Sequence, residues 1–376
     1  MTLFRNLLAV LLTTAAGHAF ADLTVGVSLP LTGPGSGLGI PVKNYIALWP
    51  QTVAGQKLNV IVLDDATDPT NGVRNAKRFV SEDKVDVIMG SVNTPVALPM
   101  AAVAAESNTV QLAFSPIPLP EGKDRWTFRM PQANTIMAEA VARHMKAQGV
   151  KTVGFLAYSD SYGEVWIKDL GAAAEKAGLK IGAIERFARA DNNVTAQALK
   201  LVAANPDAIL VVASGSGAAM PQTGLVERGY KGKIYQTHAA ATRDLMRLGG
   251  KAVEGGYVVS SPVVVAEKLP MSNPSRKEGM LATQKYEKVY GVGSLNPASA
   301  HAHDAILVLE KAVPVALTKG APGTPQFRSA LRDALEQMGP MNLSHGALNW
   351  TPADHWGYSE DTGVILKIVN GDWQVE

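Results

Sequence analysis

From Asp22 to about Pro262, short aliphatic and β-branched runs alternate with stretches of helical spacing. The runs predict strands over residues 23–30, 58–64, 85–90, 110–115, 152–158, 208–213, 233–237 and 256–260. Helices are predicted between them, over 71–82, 97–107, 136–148, 162–177, 194–204 and 220–228. The last three close at Gly178, at Asn205-Pro206 and at Gly229, residue types that stop a helix. Alternation of this kind is the pattern of βαβ units around a parallel sheet.

After Pro262 the pattern changes. A polar, proline-containing passage over 268–277 leads into three predicted helices, 278–290, 298–317 and 326–337, and two short strands, 347–349 and 363–369. Pro314 is expected to kink the second of these helices or end it early, because proline removes a backbone donor and crowds the preceding turn. No internal repeat or low-complexity segment is present. The economical layout is an α/β fold of two doubly wound parallel-sheet lobes, with the chain crossing between them more than once. Residues 22–132 and 267–344 are assigned to the first lobe and 133–266 and 345–376 to the second, with the first crossing at 131–133.

The length of 376 residues is enough for two such lobes, each with its own core. Residues 1–21 carry one cation, Arg5, then an apolar stretch from Leu7 to Leu12 and the ending Ala19-Phe20-Ala21, which reads as a secretory signal with an A-x-A-like cleavage site. The apolar stretch is too short to cross a bilayer of about 30 Å. The mature chain is therefore expected to start near Asp22 in the periplasm. There are no cysteines, so disulfides and thiolate chemistry are excluded and the fold rests on its cores. The formal charge is +2, with no basic stripe to suggest nucleic acid.

The passage Leu63-Asp64-Asp65-Ala66-Thr67-Asp68-Pro69, with Asn75-Ala76, Phe79-Val80, Asp83-Lys84-Val85 and Ile88-Met89-Gly90-Ser91, resembles the type I periplasmic binding proteins of branched-chain amino-acid ABC transport. Supporting matches are Gly26-Val27-Ser28-Leu29-Pro30-Leu31-Thr32-Gly33, Phe114-Ser115-Pro116, Asp160-Ser161-Tyr162-Gly163 and His303-Asp304-Ala305. The resemblance covers essentially the whole chain after the signal, in order. It implies two lobes joined by a three-stranded hinge, a ligand in the cleft, closure on binding, and an ABC permease as partner. A monomer without cofactor is expected. Elementary physics agrees with the placement, since ligands of open α/β sheets settle beyond the strand ends, where helix N-termini favour an anion.

The resemblance places candidate ligand contacts at Thr32, at Asn93 and Thr94 after the third strand, at Ser115 and Ile117 after the fourth, and at Tyr162. Each has a plainer alternative. Thr94-Pro95 also suits a helix start, Pro116 also makes a turn, and a tyrosine at a helix start also packs. Ser214-Gly215-Ser216-Gly217 offers only small side chains where the family often carries a bulky one; Ser214 and Ser216 are candidate contacts, and a flexible turn is the alternative. His238 is the informative departure. It stands where amino-acid-binding members present an acid to the ligand's ammonium group, and Gln236-Thr237-His238-Ala239-Ala240-Ala241 holds no carboxylate. A cation buried without a partner is costly. The expected ligand is therefore a small carboxylate without an amine, an aromatic or branched oxo or carboxylic acid, which places the chain in the aromatic- or oxo-acid-binding subgroup. Capture of leucine, isoleucine or valine is the alternative, as is a sensory role.

Enzyme readings fail on spacing. Gly33-Pro34-Gly35-Ser36-Gly37-Leu38-Gly39 imitates a dinucleotide turn, but no G-x-G-x-x-G is present, because Ile40 stands where the last glycine is needed. There is no G-x-S-x-G. His301 and His303 lie two apart on a predicted helix and face different ways, so no metal pair is expected; an exposed face plus one packing residue is the expectation for them.

Overall fold

The computed structural model describes residues 22–376. The expected export signal lies outside them. The first lobe opens with β1 (Leu23–Leu29), α1 (Ser36–Ile46), β2 (Thr52–Val53), β3 (Gln56–Asp64), α2 (Pro69–Ser81), β4 (Val87–Gly90), α3 (Thr94–Glu106), β5 (Val110–Ala113) and β6 (Thr127–Arg129). The six strands form one sheet in the order β2-β3-β1-β4-β5-β6. All pairs are parallel except the β2–β3 hairpin. The central strands are mostly apolar because helices cover both faces; every residue of β4 and β5 is buried, Gln111 included.

The second lobe continues with α4 (Asn134–Ala147), β7 (Thr152–Tyr158), α5 (Ser161–Ala177), β8 (Lys180–Phe187), α6 (Thr195–Ala204), β9 (Ala208–Val212), α7 (Ala219–Glu227), β10 (Lys233–Gln236), α8 (Arg243–Gly249) and β11 (Tyr257–Ser260). The chain then returns to the first lobe with α9 (Arg276–Tyr290), α10 (Pro297–Leu317), α11 (Pro325–Gln337) and a small hairpin, β12 (Met341–Leu343) and β13 (Gly346–Leu348). β14 (Val364–Val369) and β15 (Asp372–Val375) finish the second sheet, of order β15-β14-β11-β10-β9-β7-β8.

The chain thus passes between the lobes three times. Gln132, on the first passage, ties them together: its Nε2 donates to the backbone oxygen of His345 at 2.7 Å and to that of Thr362 at 3.4 Å. The third passage comes later than the boundary at 344/345 read from the sequence. Leu348, Trp350 and Tyr358 are buried in the first lobe's core, with Trp350 packed on Phe128. The 346–358 segment carries the apolar side chains that close that core, so the return falls at about 359–363. The kink expected at Pro314 is also absent as an ending, since α10 runs on to Leu317. Only the last turn follows the proline, and the carbonyl it deprives belongs to Glu310, an exposed residue that water can serve.

Among the elements that escaped the sequence reading, β8 and α1 did so for opposite reasons. β8 is an edge strand, where half-exposed Glu185 and exposed Arg186 blur the strand pattern. α1 is hidden in a glycine-rich run. Gly39 is needed there, because a Cβ at that position would lie 2.2 Å from the Pro30 carbonyl oxygen.

Candidate ligand-binding site

The lobes meet over a cavity of about 40 Å³ at the carboxyl ends of both sheets. The first lobe contributes Leu38, Val92, Phe114 and Ser115, with Pro297, Ala298 and His301 from the start of α10. The second contributes Tyr162, His238, Ala239 and Thr242. The arrangement is closed. A Cβ on Gly215 would stand 3.6 Å from Leu38, and one on Gly37 would stand 3.9 Å from Ser216, across the cleft. Such a volume holds only a few water-sized molecules, so the lobes part for a solute to enter.

Among the described residues no aspartate or glutamate lines the cavity. Its polar groups are hydroxyls and imidazoles. Ser115 Oγ lies 2.6 Å from Thr94 Oγ1, and both residues are buried. They sit at the N-terminus of α3, whose cap residue Asn93 makes no capping hydrogen bond through its side chain. Asn93 Nδ2 is buried and without a partner. The N-terminus of α5 is different. Asp160 accepts from the amides of Tyr162 at 2.9 Å and Gly163 at 3.3 Å, so its own carboxylate occupies that anion position. Of these two helix termini, only the one at Thr94 is left for a solute anion.

Tyr162, buried, donates its hydroxyl to Thr237 Oγ1 at 2.8 Å, which in turn donates to the Ala213 carbonyl at 3.1 Å. Burial pushes the phenol well above its ordinary range, so it stays protonated and presents a ring edge and a fixed hydroxyl. His238 packs against Tyr162 and against the fully buried Trp166, with ring centroids 6.0 and 5.8 Å apart. His301 stacks on His345 at 3.9 Å and faces Phe114 at 6.4 Å.

Three residues read from the sequence as contacts lie elsewhere. Thr32 is exposed, and its hydroxyl and amide are held by Asp64 at 2.6 and 3.2 Å. Ile117 is fully buried with Ala97, Ala101 and Ala113 in a small apolar cluster of the first lobe, and its carbonyl accepts from Arg129 Nε. An apolar side chain next to a helix flank buries itself before it faces a polar cleft. Ser216 is exposed at the cleft rim. Ser115, Tyr162 and His238 do line the cavity; Thr94 and Asn93 stand directly behind it, and Ser214 lies in the second lobe beside Arg189.

Arg189 was missed. Its Nε is 2.5 Å from Asp160 Oδ2, its Nη1 donates to Ser214 Oγ at 2.9 Å, and the guanidinium lies over Tyr158 at 4.2 Å. The same Nη1 reaches Asn93 Oδ1 at 3.5 Å, across the cleft. His301 was missed as well; both it and His303 are buried rather than exposed, at 5% and 6%. His303 Nδ1 pairs with the Tyr45 hydroxyl at 2.8 Å and braces α10 against α1. Ser344, His345 and Asp304 come together, but serine and aspartate both lie on His345 Nδ1, at 3.0 and 2.7 Å, while Nε2 faces the Pro297 carbonyl. That is a structural clamp and no nucleophile relay.

Burial first, then His345, pushes the His238 imidazole down to about 4; burial, then His345 and His238, holds His301 well below its ordinary range. Both rings are neutral near pH 7. The unfolded chain binds protons at these sites around pH 6.5 and the folded chain does not, so their contribution to stability is full above about 6.5 and is lost as the pH falls toward 4. Asp65, pushed up to about 6 by burial, acts with the opposite sign over the same window. We expect His238→Phe to flatten the acid limb of the stability profile. The difference from wild type should change by up to roughly 3 kcal/mol between pH 7.5 and 4 in urea titrations. Parallel profiles would contradict the assignment.

Two sheets with helices on both faces, closing over a cavity lined from both sides, define a two-lobed small-molecule binding protein of the periplasmic binding protein type I fold. The chain belongs to the periplasmic binding protein family, whose model matches residues 22–360. A curated relative, a Leu/Ile/Val-binding protein homolog from Brucella melitensis, is 25% identical over 89% of both chains. Among solved structures, an extracellular ligand-binding receptor from Rhodopseudomonas palustris is 45% identical, covers 94% of this chain and 99% of its own, and superposes with a TM-score of 0.92. A Rhodopseudomonas palustris solute-binding protein in complex with benzoate shares the fold at a TM-score of 0.77 but only 16% identity, over 94% and 95% of the two chains. Among the described residues no helix is long and apolar enough to cross a membrane.

Proposed function

We propose that this chain is the periplasmic solute-binding component of an ABC transporter, that it captures a small carboxylic acid lacking an amine, and that it releases the acid unchanged to its permease. The observation that carries the reading is the cavity wall: residues from both lobes, hydroxyls at a free helix N-terminus, and no carboxylate to receive an ammonium group. The solute's carboxylate would lie at Thr94 and Ser115, its body against Leu38, Val92, Phe114 and Ala298, and its other end at His238 and His301. Only the closed form offers both sets of contacts, so binding shifts the population toward closure. Apolar burial supplies most of the affinity and the polar groups set orientation. A fold relative that holds benzoate shows that the fold admits aromatic acids.

The second reading is capture of a branched-chain amino acid, favoured by the name of the Brucella relative, a Leu/Ile/Val-binding protein homolog. A thermal-shift screen separates the two. Benzoate-type acids, phenylpyruvate or branched 2-oxo acids should raise the melting temperature by several degrees at 1 mM, while leucine and valine leave it unmoved. Stabilisation by leucine or valine alone would sink the acid reading.

A further inference from the structure

His345 stands between the hinge and the cavity wall. With Ser344 it makes the two-residue turn between β12 and β13. Its backbone oxygen accepts from Gln132 Nε2 at 2.7 Å, and the same amide nitrogen reaches the Thr362 oxygen at 3.4 Å. Its ring stacks on His301 with centroids 3.9 Å apart, and Nε2 lies 3.2 Å from the Pro297 carbonyl oxygen. His301 and Pro297 line the cavity; Gln132 and His345, both buried, do not. Resting on the reading of the cleft as the solute site, we propose that Gln132 and His345 are positioning residues. They couple the angle between the lobes to the cavity wall at the start of α10, so that solute contact there holds the lobes closed.

The coupling follows from what each contact is anchored to. Asp304 Oδ2 lies 2.7 Å from His345 Nδ1 and accepts from Ser344 Oγ at 2.9 Å, while Oδ1 accepts from the Ser344 amide at 2.9 Å. Pro297 and Asp304 are both on α10, about two turns apart, so the turn grips that helix at two points. The turn and the start of α10 therefore move as one piece of the first lobe. Thr362 belongs to the other side: a Cβ on the next residue, Gly363, would stand 3.2 Å from Ala140 of α4, in the second lobe. One side-chain amide, with two N–H groups to give, thus spans a carbonyl carried by each lobe. A swing of the lobes about the passages changes the distance between those carbonyls. A buried carbonyl left without a donor is costly, so the clasp favours the closed arrangement in which both are served.

A purely structural Gln132 would serve the same two carbonyls in the open and closed forms alike and would leave the balance between them untouched. Coupling requires an element with two arrangements that both sites bias. Here that element is the lobe angle. Gln132 acts on it at the hinge, and a solute acts on it through Pro297 and His301. A dependence of one on the other is carried by His345, whose backbone meets the first and whose ring meets the second.

The test uses Gln132→Met, which keeps the side-chain length and removes both donors, and Gln132→Asn, a milder change that shortens the amide. If the first does not fold, the second is read in its place. The chain has no cysteine, so Lys43→Cys on α1 and Lys168→Cys on α5, both exposed, carry one spin label on each lobe. Pulsed electron–electron distance measurements on the solute-free protein should show a closed population at least threefold smaller in the Gln132 variant. Calorimetry with phenylpyruvate, 4-methyl-2-oxopentanoate and leucine as probes should show fivefold or more weaker affinity for whichever of them binds the wild type. When Gln132→Met is combined with His301→Ala, the two affinity losses should depart from additivity by threefold or more. Unchanged affinity and label distances overturn the coupling and leave Gln132 a structural residue; additive losses overturn the path through His345. Leucine binding while both acids fail overturns the acid reading, and the coupling is then decided with leucine as the probe. If no probe binds, the label distances decide alone.

Discussion

Arg189→Ala lowers solute affinity about tenfold and leaves the solute-free protein more open. Among the described residues, the hydrogen bond from Arg189 to Asn93 is the one recorded between side chains across the cleft away from the chain passages. A hydrogen bond involving a charged group contributes about 1.5 kcal/mol or more, and that amount lost from the closed form alone is about tenfold in the dissociation constant. The substitution also strips Asp160 of its guanidinium. The pair is largely buried, with side-chain exposures of 12% and 23%, so the second lobe should lose about 2 kcal/mol as well. These effects separate experimentally. Asn93→Ala removes only the cross-cleft bond and should weaken binding without the loss of stability. In the double variant the two affinity losses should fall short of additive, because one bond is being removed twice. Arg189→Lys should behave much like alanine for binding, since an ammonium group cannot fork to Asp160, Ser214 and Asn93 at once. Additive losses in the double variant would contradict the latch.

Gly163→Val should destabilise the protein by about 3 kcal/mol or more, the largest effect expected of any single change near the site. A Cβ at this position would lie 1.8 Å from the Tyr158 carbonyl oxygen, so α5 can start where it does only because its third residue has no side chain. The close approach is what brings Tyr162 under the cavity and lets Asp160 cap the helix. Gly171, in the same helix, has open space around its would-be Cβ, and Gly171→Ala should instead stabilise by about 0.5–1 kcal/mol through helix propensity. Urea unfolding midpoints measured on both variants check the pair. A mild Gly163→Val or a costly Gly171→Ala would show that α5 is not seated as described.

The comparison of these two sites shows what the sequence could and could not convey. Asp160-Ser161-Tyr162-Gly163 was legible because a helix start is a local event: the cap residue, the first turn and the glycine lie within four positions. The central strands of both sheets were legible for a similar reason, since burial on both faces leaves continuous apolar runs such as β9, whereas edge strands such as β8 were not. Arg189 was not legible. Its partners lie 25, 29 and 96 positions away, and nothing near it in the chain marks it from the other cations of the surface. Helical spacing marks His301 only by its mismatch with His303, which fits no metal pair. Its meaning comes from the stack on His345, a residue that reaches it through the late hairpin. The same hairpin displaced the last passage between lobes: polar and aromatic residues over 346–358 carry no strand period, yet Leu348, Trp350 and Tyr358 complete the first core. Ile117, expected as a contact from its position along the chain, has its side chain in the nearest apolar cluster, which leaves only its backbone toward the cleft.

The acid expected at the cleft rests on one absence and one presence: among the described residues no carboxylate on the wall, and two neutral imidazoles in its place. Calorimetric titration with pairs that differ only in the oxo and amino groups tests it most directly: 4-methyl-2-oxopentanoate against leucine, and phenylpyruvate against phenylalanine. The account predicts that in at least one pair the acid binds tenfold or more tighter and that neither amino acid outcompetes its partner. Leucine or phenylalanine binding more tightly than the matching oxo acid would contradict it.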